Sequence, residues 1–197
     1  MFLLNAIRLN EHFSGKVGIV AVSSGGNISS YVGLYRDAIN QSGRPQWNIN
    51  GDTDRPDCAV TFSSPFDLSD QDPNDIDNGF VEYITGIHNY IGTCNRDVAR
   101  AASPISLVTS GINSSFKPLF MIQADQDGIC PPRQLTDMDA ALIDAGVGAC
   151  KYQTALIQDD AYRTTHGLGL WQAPDPNHPS EKIGKSVLLF LHQNLDN

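Results

Sequence analysis

Short apolar runs alternate along this chain with longer stretches in which apolar residues recur at helical spacing. Apolar runs of strand length predict four strands, at residues 17–22, 58–64, 118–124 and 151–157. The first run, VGIVAV, is apolar throughout. Such a run is typical of a strand buried on both faces, in a parallel sheet with helices on both sides.

The longer stretches predict helices. Helical spacing of apolar residues places them at residues 2–13, 27–39, 133–145 and 180–195. Gly146 suits the C-terminal stop of the third helix, and Ser180 the N-cap of the last. Strands that alternate with helices predict an α/β protein with a mostly parallel sheet flanked by helices, in a single domain over residues 1–197.

The segment at about 65–115 is too long for a plain crossover between two strands, and it predicts a lid or insertion. It opens with an acidic run, Asp67, Asp70, Asp72, Asp75 and Asp77. An EF-hand calcium loop starting at Asp70 would need Gly at position 75 and Glu at position 81, where the chain has Asp75 and Val81. A solvated acidic loop is the favoured interpretation, and no metal site is expected.

Charge and hydropathy narrow the classes of partner. The formal net charge is −9 and the pI about 4.7, which argues against nucleic acid and anionic membrane surfaces. No apolar run approaches the ~20 residues of a membrane span, and the first residues lack the basic start of a signal peptide. The default location is cytoplasmic, and it is unknown if the native N-terminus is missing.

The four cysteines, Cys58, Cys94, Cys130 and Cys150, are spread out and form no CxxC pair. This spacing disfavours a zinc site or a redox motif. We expect mostly buried thiols, above all at Cys58, which opens an apolar strand. Cys130 has no histidine near it in the sequence and is a poor candidate for a nucleophile.

A Ser-Ser-Gly-Gly turn (23–26) joins the first strand to a helix. A serine on such a turn is a nucleophile elbow, usually G-x-S-x-G because the residues two before and two after the serine are crowded. Ser23 has Ala21 and Gly25 at those places, whereas Ser24 would have the branched Val22. Ser23 is therefore the better nucleophile, and a plain glycine-rich turn or an anion site at a helix start is an equal alternative.

Candidate acid and base residues follow the later strands. Asp125 and Asp127 come after the third strand, and a carboxylate at the end of a parallel strand points into the ligand crevice. His166 follows the fourth strand, and Gly167 leaves room around its ring. His178 is an alternative base in a proline-rich loop. The carboxylates could also merely cap a turn.

Four motifs and the order in which they occur along the chain indicate a family resemblance. They are V-S-S-G-G-N, A-A-S-P-I (101–105), P-L-F-M-I-Q-A-D-Q-D-G-I-C-P-P and H-G. Together they resemble esterases and lipases of the α/β-hydrolase superfamily, nearest to small carboxylesterases with G-x-S-A-G-G-N/H elbows. The resemblance covers nearly all of residues 1–195. It implies a partial α/β-hydrolase fold, no cofactor and a small carboxylic ester as substrate.

The resemblance and the chemistry of serine hydrolases also imply roles for individual residues. Ser23 is the nucleophile, His166 the general base and Asp127, rather than Asp125, the acid. The backbone N–H of Ser24 is one oxyanion donor.

One departure from the family leaves two functions open. The family has strands before the elbow and a His-Gly-Gly loop that supplies further oxyanion donors, and no H-G-G segment occurs here. The chain is therefore an N-terminally shortened member or a fragment of a longer gene. It is either an active esterase or a degenerate, inactive fold that serves as a binding or assembly module.

The same departure predicts that strand 17–22, internal in the family, becomes a sheet edge. An apolar edge favours pairing. We expect a homodimer in which this edge pairs with its symmetry copy in antiparallel sense.

Overall fold

A computed structural model describes residue 13 and residues 15–34, 55–71, 80–109 and 112–196. Four parallel strands form its main sheet in the order β1-β2-β3-β4. They are β1 (Gly18–Val22), β2 (Cys58–Phe62), β3 (Leu119–Ala124) and β4 (Tyr152–Ile157). All four strands lie where the apolar runs predict them, and the α/β class with a parallel sheet is confirmed.

Among the described residues, five α-helices accompany the sheet: α1 (Ser24–Leu34), α2 (Phe80–Ile91), α3 (Arg96–Ala101), α4 (Arg133–Asp144) and α5 (Ile183–Leu195). Alternate residues of β2 enter different cores. Val60 and Phe62 pack in a cluster with α5, and Ala59 packs in a second cluster with α1 and α4. Successive strand side chains point to opposite faces, so the central strands are buried on both sides by helices.

The predicted burial of β1 on both faces is wrong. Its residues are only partly buried, and Val20 is 43% exposed. The reason is position, because β1 ends the strand order and pairs only with β2 among the described strands. Its Gly18 still packs closely, since a Cβ there would lie 3.1 Å from both Leu191 and Leu195 of α5.

The predicted helix at 133–145 is confirmed as α4. Its stop at Gly146 is confirmed too, with φ +72°. The N–H groups of Gly146 and Val147 donate to the carbonyls of Ile143 and Leu142, 2.9 and 3.0 Å away. This is a Schellman ending, in which glycine adopts the left-handed conformation without a Cβ penalty.

The predicted start of the last helix at Ser180 is wrong. Ser180 lies in β6 (His178–Lys182), which pairs in antiparallel sense with β5 (Pro174–Asp175), and α5 begins only at Ile183. The buried carboxylate of Asp175 organises this hairpin. It accepts hydrogen bonds from the Asn177 N–H (2.8 Å) and the Ser186 hydroxyl, and it lies 3.2 Å from Nδ1 of His178.

The remaining predictions about secondary structure have different outcomes. The helix at 2–13 and the second half of the helix at 27–39 lie outside the described residues. The segment between β2 and β3 is partly helical, with α2, α3 and two 3₁₀ turns. The acidic run is not simply solvated there, because Asp67 pairs with Arg100 and Asp70 with Arg133. Asp72, Asp75 and Asp77 lie outside the described residues.

The cysteines are free thiols, two buried and two exposed. Cys58 is fully buried as expected, and burial, with the charge of Asp57, raises its pKa to about 11. Cys130 is buried, whereas Cys94 and Cys150 are exposed, so the expectation of mostly buried thiols holds for half of them.

No helix in the described part of the chain is long and apolar enough to cross a membrane.

Asp175 is expected to stabilise the fold in a pH-dependent way. Burial raises its pKa, but hydrogen bonds from Ser186, Asn177 and His178 lower it below the usual value. Asp175→Asn should cost about 2 kcal/mol at pH 7, since the amide cannot accept all of these hydrogen bonds. A lowered pKa gives stability that is present above the unfolded pKa of about 3.9 and lost as pH falls through the folded pKa.

Urea unfolding at pH 7 and at a pH below the lowered pKa of Asp175 tests this expectation. The difference between Asp175→Asn and the unsubstituted chain should shrink at the lower pH. The control is Asp144→Asn, at an exposed carboxylate, which should stay within about 0.5 kcal/mol at pH 7. A difference that is the same at both pH values would show that the Asp175 charge is not what stabilises the hairpin.

Candidate active site

Ser23 occupies a strained turn between β1 and α1. Its φ is +51°, in the left-handed region that non-glycine residues rarely adopt. The Ser23 N–H donates to the Phe62 carbonyl at 2.8 Å, and the Ser23 carbonyl accepts from Gly26 and Asn27 at 2.9 and 3.2 Å. Such strain persists only where the surroundings over-determine the conformation, and it is frequent at functional sites.

The glycine that this turn requires is Gly26. A Cβ on Gly25 would lie 3.8 Å from the Ala21 Cβ, which is ordinary van der Waals contact. A Cβ on Gly26 would overlap the Ser64 hydroxyl and lie 3.3 Å from the Thr61 Cβ. The crowding expected between the residues two before and two after the serine therefore falls one residue later, where α1 packs on β2.

Asp127 is held on the turn after β3 by four hydrogen-bonding groups. The residue is 2% exposed. Its carboxylate accepts hydrogen bonds from the N–H groups of Ile129 (2.9 Å) and Cys130 (3.0 Å) and from Nε2 of Gln123 (3.1 Å). Nδ1 of His166 lies 2.9 Å away. Burial raises the Asp127 pKa, but these hydrogen bonds lower it below its usual value, so the carboxylate is ionised at neutral pH.

Asp125 has a different partner. It forms a bidentate ion pair with Arg163, at 2.8 and 3.2 Å, and the N–H of Gln126 donates to the Arg163 carbonyl at 2.8 Å. Arg163 belongs to the loop that leads to His166. Of the two candidate carboxylates, Asp127 therefore contacts the histidine, and Asp125 fastens the histidine's loop to the turn that bears Asp127.

His166 is brought to Asp127 by a loop that packs against the end of β1. A Nδ1–H directed at the carboxylate leaves Nε2 as the acceptor. The next residue, Gly167, has φ +79°, and a Cβ there would lie 2.8 Å from Cγ1 of Val22. The glycine thus allows the loop to contact Val22, the residue that precedes Ser23. The sequence predicts only that Gly167 leaves room around the His166 ring, and this contact with Val22 is a stricter reason for glycine.

Ser63 is a buried anchor that the sequence did not single out. It follows β2 with φ +49°, and its hydroxyl accepts the Gly167 N–H at 2.9 Å. The 58–64 run shows Ser63 only as the polar end of an apolar strand. That position, at the carboxyl end of a parallel strand, is the signal that could have pointed to it.

The remaining histidines lie in other settings. His178 is exposed and pairs with Asp175 in the hairpin, and His192 pairs with Asp196 near the end of α5. His88 is partly buried on α2, and His12 lies outside the described residues. Among the described residues, no group of three or more His, Cys, Asp and Glu side chains could hold a metal ion.

A cavity of about 430 Å³ opens beside Ser23 and Ser24. This volume is within the range of small-molecule sites. Its other lining residues are Pro65, Leu68, Tyr83, Gly86, Ile87, Asn89, Tyr90, Ile129 and Cys130. Burial and the Asp127 charge raise the pKa of the Cys130 thiol well above its usual value, so it is protonated at neutral pH and a weak nucleophile.

Comparisons with known proteins place the fold. No protein-family model matches the chain, and no curated protein sequence matches it. Among solved structures, it is similar to an acylaminoacyl peptidase from Pyrococcus horikoshii, with a TM-score of 0.65 and 17% identity, over 98% of this chain and 26% of that one.

Two further structures share the fold. An acetyl ester-xyloside bifunctional hydrolase from Caldicellulosiruptor lactoaceticus has a TM-score of 0.58 and 21% identity, over 86% of this chain and 57% of that one. A lipase/esterase from Lactobacillus plantarum has a TM-score of 0.59 and 16% identity, over 97% and 64%. The chain thus has an α/β-hydrolase-like fold and spans less than two thirds of each of these three proteins.

Ser63→Ala is expected to loosen the loop that carries His166. The substitution removes the acceptor of the buried Gly167 N–H, a contact that contributes about 1 kcal/mol. Amide exchange of a peptide over residues 164–168, measured by mass spectrometry, should therefore become roughly five- to tenfold faster. The control is Ser64→Ala, at the neighbouring buried serine. Equal exchange in the two variants would show that the Ser63 hydroxyl does not anchor the loop.

Proposed function

We propose that the chain is a serine hydrolase that acts on a small carboxylic ester, with Ser23 as nucleophile, His166 as base and Asp127 as acid. The observation that carries this proposal is the His166–Asp127 pair, fastened through Gly167 against the strained turn of Ser23. A nucleophile, a base and a group that orients the base are the three parts of this chemistry. The names of the structural neighbours, which include esterases and a peptidase, support the hydrolase class.

The first half of the reaction forms an acyl-enzyme. Nε2 of His166 takes the proton of the Ser23 hydroxyl while Oγ attacks the ester carbonyl carbon. The tetrahedral intermediate collapses, the bond to the alkoxy oxygen breaks, and His166 returns the proton to that oxygen, which leaves as the alcohol. The ionised Asp127 holds the ring tautomer and stabilises the imidazolium.

Water completes the cycle. His166 removes a proton from water, the hydroxide adds to the acyl carbon, and Ser23 leaves with the proton that His166 returns. The product is the carboxylic acid, and no redox step or cofactor is involved. Each proton removed by His166 is returned within the same half-reaction, so the enzyme regains its starting state.

The Ser24 N–H is the proposed oxyanion donor. α1 begins at Ser24, and the first N–H groups of a helix have no acceptor within the helix. Partial positive charge at a helix start favours an anion there. Ser24 also lines the cavity together with Ser23, which supports this assignment.

The alternative proposal is an inactive fold that serves as a binding or assembly module. The observation that favours it is the absence of an H-G-G segment from the sequence, since that loop supplies further oxyanion donors in the family. Removing one donor costs about 10²–10³ in turnover in a comparable hydrolase. Labelling by a reactive phosphonate separates the two proposals, because it requires an activated serine but no particular ester.

A fluorophosphonate should modify Ser23 alone. Ser23→Ala should abolish labelling, because Ser23 is the hydroxyl that His166 activates. Ser24→Ala should keep it, since the Ser24 side chain is replaced while its N–H remains. Intact mass and peptide mapping give the readout. Modification at Ser24 would refute the choice of nucleophile, and no labelling of the unsubstituted chain would favour the inactive fold.

We further propose a single domain with a lid or insertion at about 65–115, and a homodimer through the edge of β1 that pairs with no other described strand. The dimer is supported by the place of β1 at the end of the sheet and by the exposure of Val20. An open apolar edge can pair with its symmetry copy, and two-fold pairing is the commonest assembly.

Sedimentation at micromolar concentration should give twice the chain mass of 21.4 kDa. Val20→Lys should shift the chain to the monomer, since a charged side chain on an edge strand opposes pairing. Ile143→Lys, at an exposed position on α4, should not. A monomer of the unsubstituted chain with slow amide exchange in β1 would point to a cover from within the chain.

A further inference from the structure

We propose that the cavity beside Ser23 binds the acyl part of the ester, that this acyl group is a nonpolar chain longer than acetyl, and that Gly86 limits its length. The inference rests on the proposed function and deepens it. It is carried by the lining of the cavity, by the place of His166 and by a glycine in the middle of a helix.

The cavity wall is mostly nonpolar. Leu68, Tyr83, Ile87 and Ile129 line it, while no Lys, Arg, Asp or Glu does among the described residues. At about 30 Å³ for a group the size of a water molecule, an acetyl group would leave most of the ~430 Å³ empty. A longer hydrocarbon chain would fill more of this volume, and the described lining has no charged side chain that would require a charged substrate group.

The side of the scissile bond follows from proton transfer. His166 must return a proton to the leaving oxygen, so the alcohol part has to lie on the side of His166. The cavity is lined by Ser23 and Ser24, the proposed nucleophile and oxyanion donor, and His166 is not among its described lining residues. The part of the substrate that enters the cavity is therefore the acyl group.

Gly86 lies in the interior of α2, where glycine is among the least favourable residues. Its backbone does not require glycine, since Gly86 is not among the described residues with positive φ. Packing does not require it either, because a Cβ there would meet nothing within 4 Å. Gly86 is a lining residue of the cavity, and we infer that this open space belongs to the cavity and that the missing side chain keeps it available to substrate.

The wall that bears Gly86 is fixed to the rest of the site. Tyr83 and Ile87 are buried against Leu68 and Ala99. The Tyr90 hydroxyl donates to Oδ1 of Asn27 at 3.1 Å, and Nδ2 of Asn27 donates to the Pro65 carbonyl at 2.9 Å. A larger side chain at position 86 would therefore reduce the cavity, since α2 is held at both its buried face and its C-terminal end.

The test uses p-nitrophenyl alkylphosphonates, in which the alkyl chain on phosphorus stands for the acyl chain. Ser23 Oγ forms a bond to phosphorus, and p-nitrophenolate leaves. From methyl to butyl, the second-order labelling rate of the full chain should rise by about fourfold for each added methylene. Gly86→Leu should slow labelling by the hexyl probe at least tenfold and leave the methyl probe within about twofold.

Two further variants make the result specific. Gly86→Ala adds only a Cβ on a better helix former, so it should raise the melting temperature and reduce the hexyl rate less than Gly86→Leu does. Thr85→Leu places the same bulk on the neighbouring, exposed residue of α2, which is not a lining residue, and should leave the chain-length profile unchanged.

Each outcome decides a separate point. Labelling that is equally fast with methyl and hexyl probes, or that Gly86→Leu slows equally for all probes, would overturn the acyl assignment and leave the proposed hydrolase intact. In probes that also carry an alkoxy substituent on phosphorus, a rate that follows the length of that substituent instead would move the cavity to the alcohol side and overturn the assignment as well. No labelling by any probe would overturn the proposed function itself.

Discussion

The carboxyl end of β2 is the point on which the arrangement of the site depends. The Phe62 carbonyl receives the Ser23 N–H, the Ser63 hydroxyl receives the Gly167 N–H, and Ser64 fills the space left by Gly26. Three consecutive residues thus hold the turn that bears Ser23, the loop that bears His166, and α1. A central strand that is buried on both faces is rigid enough to serve as this common anchor.

The charges of Asp127 and Asp125 also position the loop that bears His166. Burial raises the pKa of Asp127, yet the pKa is lowered overall, because the His166 ring and the N–H groups of Cys130 and Ile129 face its oxygens. The neighbouring Asp125 neutralises Arg163 and so ties the histidine loop to the acid turn. Two carboxylates one residue apart are thereby given different tasks by their partners, one to face the imidazole and one to fasten the loop that presents it.

Local sequence patterns were enough to predict the four strands, the parallel sheet and α4 with its glycine stop, because apolar periodicity and turn residues record them directly. The hairpin at 174–182 was missed, since it is organised by the buried carboxylate of Asp175 rather than by apolar alternation. Ser63 was missed for a similar reason. Its partner Gly167 is 104 residues away, and a hydrogen bond over that distance leaves no periodic signal in either segment.

In the proposed reaction, activation of Ser23 and stabilisation of the oxyanion are separate physical tasks. The first depends on contacts that the described residues make among themselves, from Asp127 through His166 to the turn after β1. The second depends on how many N–H groups face the developing charge, and the N–H of Ser24 is the proposed donor. A serine can therefore be reactive toward a phosphonate while ester turnover stays slow, and the two rates report different parts of the structure.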